Sequence, residues 1–267
     1  MNCTYCQSVL IPGKFRCTTC KHWNVNPELL EDDGETVLLS DARLSEVVRI
    51  DIGIFNEVFG DGLAETSNNL IAGPPGAGKT TLFLQFAMAI SLARRFKQQP
   101  TRETLYIATE QSANELRTTA QRIKIDCLHE IRIVKAMGGL KRDLGDILLQ
   151  YKPGLIIIDS LTKLVGENLE LAVKVAERVK DYTVELKAPS LLVNQVNGDG
   201  DHAGLMKLQH AVDALFMLDK DDQSGERFLY STKNRFGQAP LGVELMMTPK
   251  DHPEYPGKLI LKEQSNG

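Results

Sequence analysis

The sequence predicts an α/β fold: a mainly parallel sheet with helices on both faces, preceded by a small metal-stapled module. Three observations predict it. Four of the five cysteines fall in the first twenty residues, as two C-x2-C pairs. Through the middle of the chain, short apolar runs alternate with long amphipathic stretches, the pattern of strand–helix–strand units. One such unit, SNNLIAGPPGAGKTTLFLQF, carries a glycine-rich turn between its strand and its helix.

Composition sets the frame. With 267 residues, 42% hydrophobic and 25% charged, the chain has room for one large α/β domain and an appendage. No apolar run approaches the ~20 residues of a membrane span. The start, MNCTYCQSVL, lacks the features of a secretory signal. The expectation is a cytoplasmic protein without a membrane partner. A net charge of −4 gives no bulk electrostatic support for a polyanion partner. Its distribution is uneven. Residues 1–27 hold Lys14, Arg16 and Lys21 and no acid, whereas ELLEDDGE follows at once. That shift predicts a module at 1–25, an acidic linker at 26–48 and the main domain at 49–267.

Cys3, Cys6, Cys17 and Cys20 are spaced C-x2-C, ten residues, C-x2-C. Each pair can chelate a tetrahedral Zn²⁺ through two thiolates on a tight turn, and two such knuckles close a four-sulfur zinc ribbon. Reduced thiols or disulfides are the alternatives, the latter disfavoured in a reducing compartment. A module this small would draw its folding energy from the metal. Four thiolates leave no open coordination position, so the site is structural. A zinc ion held by four thiolates is a net anion, which cancels much of the local basic excess. DNA contact and protein docking by the ribbon therefore stay equally open. Cys127 reads as a buried helix-end or loop thiol, and His22 and Trp23 as packing beside the ribbon.

The main domain opens on the strand 69–72 and the loop Gly73-Pro74-Pro75-Gly76-Ala77-Gly78-Lys79-Thr80, a full G-x4-G-K-[ST] match, with Thr81 beside it. Its glycines let backbone N–H groups curl around a phosphate. Lys79 is placed to reach the outer phosphates of a nucleotide, and the Thr80 hydroxyl to ligate Mg²⁺. A helix at 80–97 follows. The next strand, 104–108, delivers Glu110 at its carboxyl end, a candidate for polarising an attacking water or, more plainly, for capping the helix 112–124. The unbroken run KPGLIIIDSL reads as a strand at 155–159 buried on both faces. Asp159 ends it, where ligands bind in open α/β sheets, with Ser160 next. After a helix at 169–187, the strand 191–195 ends in Asn194-Gln195, an amide pair able to sense a terminal phosphate or to brace a loop.

A strand at 214–218 completes the alternating part. Strands near 227–233, 243–248 and 258–262, separated by Gly/Pro turns, predict an antiparallel edge. The first of these ends in KNRFG. In a regular strand Lys233 and Arg235 share a face, roughly 7 Å apart, with Gly237 as a flexible point beyond. Two cations on one face can straddle a polyphosphate; a solvated strand edge is the bland reading.

CxxC…CxxC, GPPGAGKT, TLYIATEQS, LIIIDS, LQHAVD and KNRFG occur in one order, and in that order the chain resembles the bacterial RadA (Sms) family of RecA-like ATPases, from Cys3 to about Leu261. The resemblance implies an ATP hydrolase with Mg²⁺ and Zn²⁺. It implies a homo-oligomer, a hexameric ring with nucleotide at subunit interfaces. Lys79, Glu110 and Gln195 would act on the chain's own nucleotide, and Lys233 and Arg235 on the neighbour's, where such fingers raise turnover by about 10³–10⁵. Single-stranded or branched DNA would be the substrate of branch migration or strand exchange in repair. Its contacts would fall at Thr162–Asn168 and at 197–207, with Lys163 and Lys207 as phosphate ligands. A recombinase or helicase would dock on the ribbon. The family continues into a Lon-protease-like domain, so a short form is expected. Gln195 stands where the family has His, Gln111 where it often has Glu, and Asn197-Gly198 where it has Thr-Lys. A KaiC-like regulatory ATPase, whose nucleotide controls protein docking, and a non-hydrolysing adaptor are the rival readings.

Overall fold

Aliphatic and β-branched runs set the strands, and the amphipathic stretches between them the helices. The computed structural model describes residues 2–3, 5–10, 16–21, 46–195 and 202–262. Most of the expected acidic linker, His22, Trp23 and residues 197–201 of the expected DNA loop lie outside them. The chain divides after Glu46 into two units.

In the small unit each cysteine pair closes a similar turn. Gln7 N donates to Cys3 O at 3.0 Å and Lys21 N to Cys17 O at 3.0 Å. Gln7 and Lys21 both take positive φ, 63° and 64°. An isolated antiparallel bridge joins Asn2 and Val9.

The large unit begins with β1 (Arg49–Ile50), α1 (Asn56–Phe59) and β2 (Leu63–Ala64), which form a two-stranded hairpin around a short helix. Then follow β3 (Asn68–Gly73), α2 (Lys79–Phe96), β4 (Thr104–Ala108), α3 (Ala113–Arg122), β5 (Ile131–Lys135) and α4 (Leu144–Tyr151). The chain continues through β6 (Leu155–Asp159), α5 (Leu161–Leu164), α6 (Leu169–Leu186), β7 (Ser190–Gln195) and α7 (His202–Ala211). It ends with β8 (Ala214–Lys220), β9 (Arg227–Asn234), β10 (Gly242–Met247) and β11 (Leu259–Leu261).

The main sheet has the order β11-β10-β9-β8-β3-β7-β6-β4-β5. From β8 to β5 every pairing is parallel. The β8–β9–β10–β11 edge is antiparallel, as the Gly/Pro punctuation predicts. Successive strand residues face opposite layers. Ile71, Tyr106, Ile157 and Val193 pack with Phe83 and Phe86 of α2. Leu70, Leu105, Ile156 and Leu192 pack with Val179 of α6. Phe59 joins the first layer, stacked on Phe216 at a centroid separation of 3.9 Å.

Four elements differ from expectation. β5 is a short edge strand whose IRIVK is only half-covered, so its periodicity is weak. α7 starts at His202, within the segment read as a glycine-rich loop, and α5 occupies Leu161–Leu164 of the other expected DNA loop. β9 carries a bulge at Thr232, opposite Leu215/Phe216, which resets the alternation ahead of Lys233; the strand ends at Asn234 and Arg235 lies just past it. Bulges re-aim side chains in this way. Gly237 serves close packing rather than flexibility: a Cβ there would sit 2.8 Å from Asn234 Nδ2 and 2.9 Å from Gly60 Cα.

Candidate active site

The glycine-rich turn joins β3 to α2. Gly73 ends the strand against β8, where a Cβ would stand 2.2 Å from Leu218 O; only glycine lets the backbones approach this closely. Gly78, at φ 108°, turns the chain into α2. Lys79 Nζ donates to Gly73 O at 2.7 Å and to Pro74 O at 2.8 Å. The ammonium is thus parked across the mouth of the turn. Burial lowers its pKa, opposed by the nearby charges of Asp159 and Glu110.

Because β3, β6, β7 and β4 are parallel, their carboxyl ends meet the turn on one edge of the sheet. Asp159 Oδ2 accepts from Thr80 Oγ1 at 3.1 Å and from the Tyr106 hydroxyl at 2.6 Å. Burial raises the Asp159 carboxyl, and the two hydroxyl donors oppose that rise. Thr109 braces the turn after β6, donating from Oγ1 to Asp159 O at 2.8 Å and accepting from Ser160 N at 2.7 Å. Glu110 accepts from Ser160 Oγ at 2.9 Å and from Gln195 Nε2 at 2.8 Å. It does not cap α3; Ser112 does, in a capping box with Glu115. Together Pro75, Gly76, Gly78, Lys79, Thr80, Thr81, Glu110, Gln111, Asp159 and Gln195, with Met247, line one cleft of about 370 Å³.

The donor set suits a magnesium nucleotide. A hydroxyl and a carboxylate, both hard oxygen ligands, converge at Thr80 and Asp159. Beside them lie a lysine and a backbone turn at a helix start, where anions bind. Glu110, with Gln195 on it, lines the same cleft. Tyr106, Thr109, Arg227 and Met247 escaped the sequence reading. The signal for Tyr106 was a phenol in the middle of a buried strand, TLYIA, since a buried phenol needs a partner.

Lys233 and Arg235 lie elsewhere. Lys233 pairs with Leu215, near the start of β8, whereas the phosphate turn adjoins that strand's far end. Lys233 Nζ donates to Gln209 O at 2.5 Å and Val212 O at 2.6 Å, at the carboxyl end of α7. Arg235 Nη1 lies 3.4 Å from Asp213 Oδ1, which also takes Lys180 Nζ at 2.7 Å. The two cations converge on one corner after all, at the opposite end of the sheet from their own cleft. Of the expected DNA ligands, Lys163 is paired with Glu167 at 2.7 Å, and Lys207 is exposed on α7.

In the small unit Cys3 Sγ lies 3.6 Å from Cys20 Sγ, and Cys6 Sγ 3.6 Å from Cys17 Sγ. All four sulfurs fall within 4.8 Å of one another. Tetrahedral zinc with Zn–S bonds of ~2.3 Å needs sulfurs about 3.8 Å apart. The cluster is of a size that fits that metal.

Fold and cleft together define a RecA-like P-loop ATP hydrolase. A family described as an AAA domain matches residues 56–200. The chain belongs to that family, and along most of its length it is similar to RadA proteins. The DNA repair protein RadA of Mycolicibacterium smegmatis is 30% identical over 266 residues, covering 89% of this chain and 55% of the relative. RadA of Aquifex aeolicus is 26% identical over 284 residues, covering 99% of this chain and 62% of the relative. The chain thus spans little more than half the length of these relatives. Among solved structures, a KaiC-like protein from Pyrococcus horikoshii OT3 superposes with a TM-score of 0.61 at 17% identity, covering 81% of this chain and 99% of that one. At that identity the likeness concerns the fold.

Proposed function

We propose that the chain is an ATP-driven DNA motor of the RadA kind, working on single-stranded or branched DNA in repair. It acts as a ring in which each subunit completes its neighbour's site. The observation that carries this reading is the separation of Lys233 and Arg235 from the cleft of their own chain. Two cations converge on one corner, yet one strand length away from the phosphates they would serve. In a ring, a neighbouring subunit's cleft is where they would meet a phosphate.

In this reading the Gly73–Thr81 turn holds the phosphates, and Lys79 leaves the Gly73 and Pro74 carbonyls for the outer phosphate oxygens. Bound Mg²⁺ would be held through Thr80 and Asp159 and would neutralise phosphate charge. Glu110 accepts a proton from the attacking water; the new P–O bond forms at the γ-phosphorus, and its bond to the bridging oxygen breaks, leaving ADP and phosphate. Gln195, hydrogen-bonded to Glu110, reports the loss of the γ-phosphate to the segment leading into α7. Lys233 and Arg235 stabilise the charge that develops in the neighbour's cleft. Lys207 meets DNA phosphates, and Cys3, Cys6, Cys17 and Cys20 hold a structural zinc on which a recombinase or helicase docks.

The test is subunit mixing. Lys79→Ala abolishes phosphate release. Lys233→Ala binds ATP but loses DNA-stimulated hydrolysis. Mixed together, the two inactive chains regain part of the activity, because one supplies the cleft and the other the finger. Normal hydrolysis by Lys233→Ala on DNA, or no recovery on mixing, sinks the shared site. No stimulation by DNA across lengths and salt concentrations removes the motor and leaves nucleotide-controlled protein docking.

A further inference from the structure

The phosphate turn is held from behind by the antiparallel end of the sheet. Arg227, the first residue of β9, donates from Nε to Ala77 O at 3.0 Å and from Nη1 to Gly225 O at 2.7 Å. β10 and β11 close on the same turn. A Cβ at Gly78 would lie 3.1 Å from Met247 Cε, 3.6 Å from Leu259 Cδ1 and 3.8 Å from Arg227 Nε. Gln85 of α2 ties the bracket down. Its amide accepts from Leu259 N and donates to Leu259 O, both at 2.9 Å. Apart from the local Arg227–Gly225 bond, each of these contacts crosses more than a hundred residues of sequence.

Two features make Arg227 more than a brace. A trans peptide points its C=O and its N–H in opposite directions. With Ala77 O held toward Arg227, the N–H of Gly78 is turned the other way, toward the cleft that Gly76, Gly78 and Lys79 line. The second feature is charge. Among the described residues the half-buried guanidinium meets carbonyls and no carboxylate. Its charge finds a counter-ion when an anion enters the turn in front of it.

We propose that Arg227 is a positioning residue for nucleotide binding: it fixes the Ala77–Gly78 peptide so that the Gly78 N–H donates to a polyphosphate oxygen. The inference rests on the reading of the cleft as a nucleotide site. The relevant phosphates are those shared by ATP and ADP, so ground-state binding and the transition state feel Arg227 equally. Its loss therefore raises KM and leaves kcat in place.

The experiment is a titration of the full chain with a fluorescent ADP, for wild type, Arg227→Met and Arg227→Lys, with nucleotide-free thermal melts alongside. Arg227→Met weakens ADP binding by about tenfold, the worth of one charge-assisted hydrogen bond. Arg227→Lys, which keeps charge and donor, stays within about threefold of wild type. In steady state, Arg227→Met raises KM for ATP by the same factor as the ADP dissociation constant, at unchanged kcat. A brace without a binding role moves the melt and spares the affinity. Wild-type ADP affinity in a folded Arg227→Met chain overturns the proposal, as does a Lys variant no better than Met. If Arg227→Met does not fold, Arg227→Gln takes its place with the same expectation. Failure of the wild-type chain to bind ADP overturns the nucleotide reading of the cleft instead.

Discussion

At Asp159 a single carboxylate oxygen takes two hydroxyl donors, from Thr80 and Tyr106. The threonine is part of the recognisable motif. The tyrosine is a core residue that also orients the carboxylate. Burial pushes the Tyr106 phenol well above its usual pKa, with the Asp159 charge acting in the same sense. It therefore remains a donor at any working pH. Tyr106→Phe keeps the ring's packing and deletes that donor. We expect a loss of about 1 kcal/mol in a denaturant melt. The magnesium concentration for half-maximal hydrolysis should rise by about tenfold, as when partners that orient metal ligands are removed. An unchanged magnesium titration would reduce Tyr106 to packing. Lys79, Asp159, Glu110 and Gln195 were legible in the sequence because each stands at the carboxyl end of a strand or in the turn after one. Tyr106 was not, since nothing in TLYIA says what lies beside the hydroxyl.

The strands and the longer helices follow their periodicity closely, as α6 at Leu169–Leu186 shows against the expected 169–187. What locks them relative to one another is less visible. Arg102, just before β4, clasps the ends of two helices on the other face of the sheet. Its guanidinium donates to Pro153 O at 2.6 Å and Lys152 O at 3.3 Å after α4, and to Leu186 O at 2.7 Å and Lys187 O at 3.1 Å after α6. Carbonyls at helix ends lack intrahelical partners and carry partial negative charge, which a cation satisfies. Arg102→Ala should cost about 1.5–3 kcal/mol and lower the melting temperature by several degrees, with ADP affinity unchanged. Arg102→Lys should recover little, because one ammonium cannot span both helix ends. A melt unmoved by Arg102→Ala refutes the clasp. β5 and α7 escaped the sequence reading for opposite reasons. β5 is a half-covered edge with weak alternation, and the start of α7 is masked by the glycines and aspartates that precede and interrupt it.

Across the whole molecule, strand order decides which groups meet. The parallel pairing of β3 with β7 and β8, and of β6 with β4, gathers the turn, Asp159, Glu110 and Gln195 on one edge. β9 runs the other way. It starts with Arg227 against the phosphate turn and carries Lys233 six residues on, about 20 Å away at strand rise. In the proposed reading, one strand thus serves the cleft of its own chain at one end and offers cations to another chain at the other. The cysteine cluster belongs to a separate unit, and its chemistry is testable separately. Purified chain should carry one zinc. A chelator should expose the thiols of Cys3, Cys6, Cys17 and Cys20 to a thiol reagent, while the main melting transition persists. Four thiols that react at once without chelator would exclude bound metal. The sequence by itself determined the local chemistry: the sulfur spacing, the glycine-rich turn and the acids at strand ends. Those depend on residues that are neighbours along the chain or terminate a run whose periodicity is plain. Only the tertiary structure decided that Arg227 backs the turn, that Tyr106 rests on Asp159, and that Lys233 and Arg235 face away from their own cleft. Each of these depends on which distant strands pair, in what order and direction, and that choice is made by burial across the whole sheet.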